Sequence, residues 1–294
     1  MNRTNPAELH ASDMHTSSVR SKDGTVIAYH SLGQGPGLII LGGALSNGSN
    51  YLRLAAALSH DHTVHVVERR GRPGSGEPRQ DHSIEDESAD LAAVAAGTGA
   101  SVVFGHSFGG LVTLETARRF PLFDEVYVYE PGVSLHGSIP VGWIDGYQRR
   151  LVRGDRLGAF AEMVKHSGFS PRFISMMPVW YLRLVLRVAL GRRWAAMSEL
   201  LETNVVEHRI VAALDAPDAE RFSTIAAHTV LLGGAKSPPA LTGRLLDELA
   251  AAIPRSTVEV LPGMDHIAPE THPQRVAAAV RANRTSPASV SAPA

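Results

Sequence analysis

The chain of 294 residues has 28 Lys and Arg residues and 29 Asp and Glu residues, and 44% of its residues are hydrophobic. The net charge of −1 gives no global field that favours nucleic acid or an anionic membrane, and the composition excludes disordered, collagen-like and coiled-coil classes. The near-zero net charge therefore favours a small-molecule partner. Because the chain has no cysteine, disulfides, thiolate nucleophiles and Cys-type metal sites are excluded.

The first 17 residues are polar and contain no apolar segment typical of a secretory signal, so we expect a flexible N-terminal segment. No stretch approaches the roughly 20 apolar residues of a membrane span. We therefore expect a cytoplasmic protein without stable membrane insertion.

Short β-rich runs alternate with helical patterns in the first part of the chain, which is typical of a mainly parallel sheet with helices on both faces. A Ser83 and Asp86 capping-box pattern precedes one of the predicted helices. The predicted strands are Thr25 to Ser31, Gly37 to Leu41, Thr63 to Glu68, Ser101 to Phe104 and Val126 to Tyr129, and the predicted helices are about Asn50 to Leu58, Ile84 to Ala96 and Phe108 to Phe120.

Between about residues 133 and 222 the strand alternation stops, and helical patterns rich in Trp and Met replace it. This segment is predicted to be a helical insertion. Two strands then follow, Thr229 to Leu232 and Val258 to Leu261, with a helix near Leu241 to Ala252 between them. A last helix starts after Pro273, and the Ser-, Pro- and Ala-rich residues 285–294 are predicted to be a disordered tail.

The first candidate for chemistry is Ser107, in the sequence Gly105-His106-Ser107-Phe108-Gly109. This GxSxG motif lies between a buried strand and a helix, where a tight turn presents the serine at the carboxyl edge of the sheet. A serine hydroxyl needs a base to take its proton near pH 7. His266 follows the last strand and therefore lies at the same edge, so we predict that it is the base.

With these elements the chain resembles an α/β-hydrolase with a helical cap, over about residues 18–284. The order is that of the family: the serine follows the fifth strand, the insertion follows the sixth and the histidine follows the last. A first strand around Ser18 to Arg20 completes the eight. The resemblance implies an α/β core of residues 18–132 and 223–284 that carries a cap of residues 133–222.

Two further segments support this resemblance. The sequence Arg70-Gly71-Arg72-Pro73-Gly74-Ser75 is similar to the family's RGxGxS loop, with Pro73 where glycine is more usual. Gly42-Gly43-Ala44 takes the place of the oxyanion loop, with Gly42 instead of histidine. By this match the oxyanion hole would consist of the backbone N–H groups of Ala44 and Phe108, donors of a type that contributes about 3 to 4 kcal/mol each.

The acid departs from the commonest family pattern, in which an Asp follows the seventh strand. Here that loop, Gly233 to Pro239, contains no carboxylate. Some relatives place the acid after the sixth strand, which in this chain ends at Glu130. We predict that Glu130 is the triad acid. Asp265 is the weaker alternative because it is adjacent to His266 in the chain.

Within the cap, Pro178 to Arg193 is apolar, with Arg183 and Arg187 four residues apart. Contact with a membrane is one interpretation. A helix that covers an apolar pocket, with its arginines turned to water, is the favoured one. On that interpretation we expect four cap residues to line the substrate site: Trp143, Met176, Trp180 and Trp194.

The leading hypothesis is a serine hydrolase that cleaves a carboxylic ester or lactone of a hydrophobic small molecule, with no cofactor and no metal. Carbon–carbon bond hydrolysis, cofactor-free perhydrolysis and a specialised biosynthetic step are alternatives on the same triad, because a fold alone does not fix the reaction. A non-catalytic ligand-binding protein that keeps the pocket is the alternative from another class. The sequence leaves the oligomeric state open.

Overall fold

The structure is a computed structural model that describes residues 14–285, with gaps at 169, 171 and 192. Over these residues the strands are β1 (His15–Arg20), β2 (Val26–Leu32), β3 (Gly37–Leu41), β4 (Thr63–Val67), β5 (Val102–His106), β6 (Glu125–Tyr129), β7 (His228–Gly234) and β8 (Ser256–Leu261). They form one sheet in the order β1-β2-β4-β3-β5-β6-β7-β8. β3 to β8 are parallel, and β1 and β2 are antiparallel to their neighbours. The predicted mainly parallel, eight-stranded sheet is confirmed.

The two ends of the chain differ from the expectation. Strand β1 begins at His15, which pairs with Ser31, so residues 15–17 are not a flexible segment. Thr285 donates hydrogen bonds from its backbone N–H and its hydroxyl to Glu125, so this first residue of the predicted tail is anchored. Residues 1–13 and 286–294 lie outside the described residues.

Helices lie on both faces of the sheet, as predicted. Those of the α/β core are α1 (Leu52–Leu58), α2 (Ile84–Thr98), α3 (Phe108–Arg119), α10 (Arg244–Ala252), α11 (Ala268–Thr271) and α12 (Pro273–Ala282), and those of the cap are α4 (Ile144–Val152), α5 (Arg156–His166), α6 (Arg172–Ser175), α7 (Val179–Leu190), α8 (Arg193–Glu199) and α9 (Leu201–Ala213). Helix α2 begins at the predicted capping box, in which Ser83 and Asp86 bond each other's backbone N–H groups. Helix α10 begins three residues later than expected, directly after Gly243.

The core lies in two layers because the central strands bury both of their faces. In β3, Leu38 and Ile40 pack on one side of the sheet, in the cluster that includes α1 and α12. Ile39 and Leu41 pack on the opposite side, against α2 and α3. All four side chains are at most 2% exposed. In the sequence, a central strand of this kind appears as a continuous run of apolar residues.

The cap has a hydrophobic cluster of its own, built around Trp143, Tyr147, Phe160 and Leu201. Its two ends are joined near the sheet, where Leu135 forms a bridge with Ala216. The insertion therefore leaves and returns at one place, above the carboxyl edge that carries Ser107.

Candidate active site

Ser107 lies in the tight turn between β5 and α3, with backbone dihedrals of φ 54° and ψ −121°. A non-glycine residue rarely adopts this strained conformation. Crowding explains the glycines around it: a Cβ at Gly109 would lie 2.4 Å from the Leu41 carbonyl oxygen, and one at Gly105 would lie 2.3 Å from the Thr113 hydroxyl. The helix can approach the strand ends this closely only with glycine at these positions.

His266 lies in the loop after β8 and contacts Ser107. Its Nε2 atom is 3.1 Å from the Ser107 Oγ atom, and its Nδ1 atom is 2.7 Å from the Glu130 Oε2 atom. A carboxylate oxygen accepts, so Nδ1 carries the proton and Nε2 is left to accept from the Ser107 hydroxyl. The structure brings together the three residues that the sequence singled out.

Glu130 directly follows β6, is fully buried and has a positive φ of 45°. Its Oε1 atom accepts a hydrogen bond of 2.7 Å from the backbone N–H of Gly234, and its Oε2 atom accepts one from the Nδ1 atom of His266. Its own N–H donates to the Leu232 carbonyl. The carboxylate is therefore held by β7 on one side and by the histidine on the other.

The alternatives to Glu130 are placed differently. The Asp265 side chain is exposed, and its backbone carbonyl accepts a hydrogen bond of 2.8 Å from the Tyr129 hydroxyl. The loop after β7 begins at Ala235, and both Ala235 and Lys236 are exposed. Glu130 is thus the carboxylate that the structure shows hydrogen-bonded to the His266 ring.

Ala44 and Phe108 border the same small cavity as Ser107 and His266. Among the hydrogen bonds of residues 14–285, apart from the three gaps, neither backbone N–H has an acceptor. Phe108 N–H is at the start of α3, where the helix dipole favours negative charge. Both groups are therefore able to bind a developing oxyanion beside Ser107.

A buried chain of hydrogen bonds, which sequence reasoning did not find, connects the loop of Gly43 with that of His266. The Gly43 N–H donates to the Tyr51 hydroxyl at 2.9 Å, which lies 2.7 Å from the Nδ1 atom of His106. The Nε2 atom of His106 lies 2.8 Å from the His266 carbonyl. Because a carbonyl only accepts, Nε2 carries the proton and Nδ1 accepts from Tyr51. Burial, and to a smaller extent the nearby His266, lower the pKa of His106 well below 6.5. The ring therefore stays neutral, and its Nδ1 atom remains an acceptor.

A second buried network holds the oxyanion loop from the other side. Arg69 donates to the Gly42 and Gly43 carbonyls at 3.0 and 2.9 Å, and its guanidinium lies 4.8 Å from the centroid of the Phe108 ring. It also contacts Glu87 at 3.0 Å and Glu207, on cap helix α9, at 2.8 Å. Burial alone would raise the pKa of Glu87, but the charge of Arg69, together with the His82 hydrogen bond and nearby positive charge, lowers it to about 2. The network ties the loop to the cap.

The cavity beside Ser107 has a volume of about 30 Å³, enough for about two water molecules. Its apolar lining comes from Ile139, Val211 and Leu241. His208 of α9 also lines it, and the Nδ1 atom of His208 lies 2.9 Å from the Asn204 carbonyl. That contact makes Nδ1 the donor and leaves Nε2 as an acceptor.

The four tryptophan and methionine residues expected in the cavity do not line it. Trp143 is buried one layer behind, 4.8 Å from the His208 ring, and Trp194 packs on Phe160 within the cap. Met176 and Trp180 are 80% and 71% exposed, so they lie on the outside of the cap. The helical spacing of apolar residues predicted a buried side of the helix but did not show which side of the helix faces inward. His208 was missed because nothing in its local sequence distinguishes it.

The family model for the alpha/beta hydrolase family matches residues 38–279, well over half of the chain. The chain belongs to the alpha/beta hydrolase family. A solved alpha/beta hydrolase from Sphaerobacter thermophilus is 27% identical, with a TM-score of 0.75 over 90% of this chain and 98% of its own.

Two other solved structures share the alpha/beta hydrolase fold at lower identity, and at that level the likeness shows the fold alone. One is a thermophilic esterase from Thermogutta terrifontis, 19% identical, with a TM-score of 0.67 over 91% of this chain and 97% of its own. The other, Est816, described as an N-acyl homoserine lactone degrading enzyme, is 20% identical, with a TM-score of 0.67 over 91% of this chain and all of its own.

Within 14–285, apart from the gaps, no group of three or more His, Asp or Glu side chains is arranged to hold a metal ion. Within the same residues, no helix is long and apolar enough to cross a bilayer.

The Tyr51 hydroxyl has a measurable role in stability. Tyr51→Phe leaves the buried Gly43 N–H without its acceptor, so we expect the free energy of unfolding to fall by about 1 to 3 kcal/mol. Tyr181→Phe is the control, since Tyr181 is 42% exposed and its change should stay within about 0.5 kcal/mol. Denaturant titration of both variants measures the difference, and equal stabilities would contradict the role given to Tyr51.

Proposed function

We propose that this alpha/beta hydrolase cleaves a carboxylic ester or lactone of a small hydrophobic molecule through an acyl-enzyme on Ser107. The observation that carries the proposal is the hydrogen-bonded series from Ser107 through His266 to the buried Glu130, at 3.1 and 2.7 Å. A series of this kind activates a hydroxyl that is otherwise a poor nucleophile. We also propose that the enzyme acts in the cytoplasm and needs no cofactor.

In the first half of the reaction, the Ser107 Oγ atom attacks the carbonyl carbon while His266 Nε2 takes the hydroxyl proton. The negative oxygen that forms binds the N–H groups of Ala44 and Phe108. Glu130 holds the imidazole in the required orientation and stabilises its positive charge. The tetrahedral intermediate then collapses, and His266 gives its proton to the departing alcohol oxygen, leaving Ser107 acylated.

In the second half, a water molecule gives a proton to His266 and attacks the acyl carbon. The Ser107 oxygen departs and recovers the proton, and the carboxylic acid is released. When the substrate is a lactone, the alcohol and the acid belong to one product molecule.

The lining of the cavity supports a hydrophobic substrate. The cavity beside Ser107 is bordered by Ile139, Val211 and Leu241, so apolar groups next to the reacting carbonyl lose water at little cost. Esters and lactones are also the groups handled by the esterase and the lactone-degrading enzyme that share the fold.

Labelling with a fluorophosphonate, followed by turnover of short-chain aryl esters and lactones, tests the proposal. We expect labelling of Ser107 in the parent, and in Ser107→Ala the loss of both labelling and nearly all turnover. Turnover within tenfold of the parent in that variant would contradict the mechanism. Tight ligand binding without any labelling would instead favour the ligand-binding alternative.

The acid is tested by a matched pair of variants. Glu130→Gln removes the buried charge beside His266, and we expect kcat to fall by several orders of magnitude, up to about 10⁴-fold by analogy with loss of a triad acid. Asp265→Asn changes an exposed side chain next to the same histidine and should cost less than tenfold. Steady-state kinetics of both variants give the comparison, and the reverse order would overturn the assignment.

The cap residues can be separated by the same assays. Trp143→Ala removes the ring that packs behind His208, so we expect kcat/KM ratios between short and long esters to change at least several-fold. Trp180→Ser changes a residue that is 71% exposed and should leave those ratios unchanged for dissolved substrates. Identical rankings in Trp143→Ala and the parent would show that Trp143 does not shape the site.

A further inference from the structure

Helix α7 is apolar on two sides, and one of these sides faces solvent. Its inner side packs into the cap through Leu182, Leu186 and Leu190. On the outer side, Trp180, Leu184 and Val188 are 71%, 58% and 78% exposed. Residues four apart lie on the same helix face, so these three form a continuous stripe. The apolar side of a surface helix normally faces the core, but the outer apolar side of α7 faces solvent.

The exposed apolar surface continues beyond this stripe. We define the outer cap patch as Phe173, Met176, Trp180, Tyr181, Leu184 and Val188, all of them at least 42% exposed. These six are half of the exposed large hydrophobic side chains among the described residues, yet they fall within 16 consecutive positions. Concentration of this degree marks a surface that contacts a partner or a membrane.

The charge of this segment differs from that of the whole chain. From residue 163 to residue 198 the sequence has six Lys and Arg residues and no Asp or Glu, although the net charge of the chain is −1. On α7, Arg183 and Arg187 are exposed and lie four residues apart, beside the apolar stripe. Arg183 contacts Asp155 at 3.2 Å, whereas Arg187 has no acidic partner among the described residues. The patch is therefore apolar with a basic border.

We propose that the outer cap patch is a reversible docking surface for an anionic lipid bilayer. Apolar side chains on one face of a surface helix enter the boundary between headgroups and acyl chains, and arginines beside them meet the lipid phosphates. Helix α7 has 12 residues and a length of about 18 Å, so it lies along the surface rather than across the bilayer. The weak global charge does not oppose this contact, because Arg183 and Arg187 lie on α7 beside the apolar stripe.

The basic border also indicates which partner binds the outer cap patch. A second copy of the chain would place two basic borders against each other, and like charges oppose that contact. An uncharged bilayer would bury the apolar stripe but leave Arg187 without an anionic partner. An anionic bilayer satisfies both features. The proposal is independent of the reaction, because no residue of the patch lines the cavity beside Ser107.

Binding of the full chain to vesicles tests the proposal directly. We expect flotation with equimolar phosphatidylcholine and phosphatidylglycerol vesicles, much weaker flotation with phosphatidylcholine alone, and loss of binding as salt screens the charges. Trp180 is 71% exposed and Trp143 only 3%, so binding should shift tryptophan emission to the blue and protect it from acrylamide. Trp180→Ser should abolish most of that shift.

Matched variants identify the surface. Trp180→Ser combined with Val188→Ser should weaken vesicle affinity more than tenfold, and Arg187→Gln should weaken it about fivefold, the value expected for one basic residue at an anionic surface. Val260→Ser is the control, since Val260 is 45% exposed on β8, and it should bind like the parent. Ser107→Ala should also bind like the parent. Thermal unfolding confirms that each variant is folded.

Several results would overturn the proposal. These are absence of binding to the anionic vesicles at low salt, equal binding to phosphatidylcholine alone, and parent-like binding of the Trp180 and Val188 double variant. Concentration-dependent dimers that protect Trp180 without lipid would assign the patch to a second copy instead. None of these results bears on labelling of Ser107, so failure here is distinguishable from failure of the proposed hydrolysis.

Discussion

The candidate site depends on one constraint: a carboxylate has to be buried against the His266 ring. In this chain it comes from the end of β6, where the pairing of Tyr129 with Leu232 places Glu130 beside the end of β7. Gly234 makes the arrangement possible, because a Cβ there would lie 2.5 Å from the Met264 carbonyl oxygen. The same glycine donates its N–H to Glu130. The end of β7 therefore supports an acid instead of supplying one.

In the oxyanion loop, too, a different residue performs the supporting role. The family's usual histidine is replaced by Gly42, and a Cβ at that position would lie 2.5 Å from the Tyr51 ring. Tyr51 thus occupies the space that a side chain at position 42 would need. Its hydroxyl holds Gly43 and, through His106, reaches the backbone of His266. One buried hydrogen-bond chain fixes the positions of the loops on both sides of Ser107, which is the kind of support that preorganised donors require.

Much of the fold was predictable, because it follows from local patterns. Continuous apolar runs gave the buried strands, and the capping box at Ser83 gave the start of α2 within one residue. Ser107 and His266 followed from their position after strands. Tyr51 and His106 are 55 residues apart, and no spacing rule connects them. Trp180 was placed on the wrong side of its helix because α7 is apolar on both, and only packing distinguishes the two.

The two sides of the cap differ in how firmly they are attached to the core. Glu207 of α9 is 1% exposed and contacts both Arg69 and Arg72, at 2.8 and 2.6 Å. Separating α9 from the core would leave these arginines buried without that partner, a change that costs about 3 to 5 kcal/mol when one member of a buried pair is lost. Helix α7 instead packs on α5 and α8, which are themselves cap helices, and its ion pair from Arg183 to Asp155 is partly exposed and therefore weak. Inner helix α9 is thus coupled to the oxyanion loop, whereas α7 is attached mainly through other cap helices.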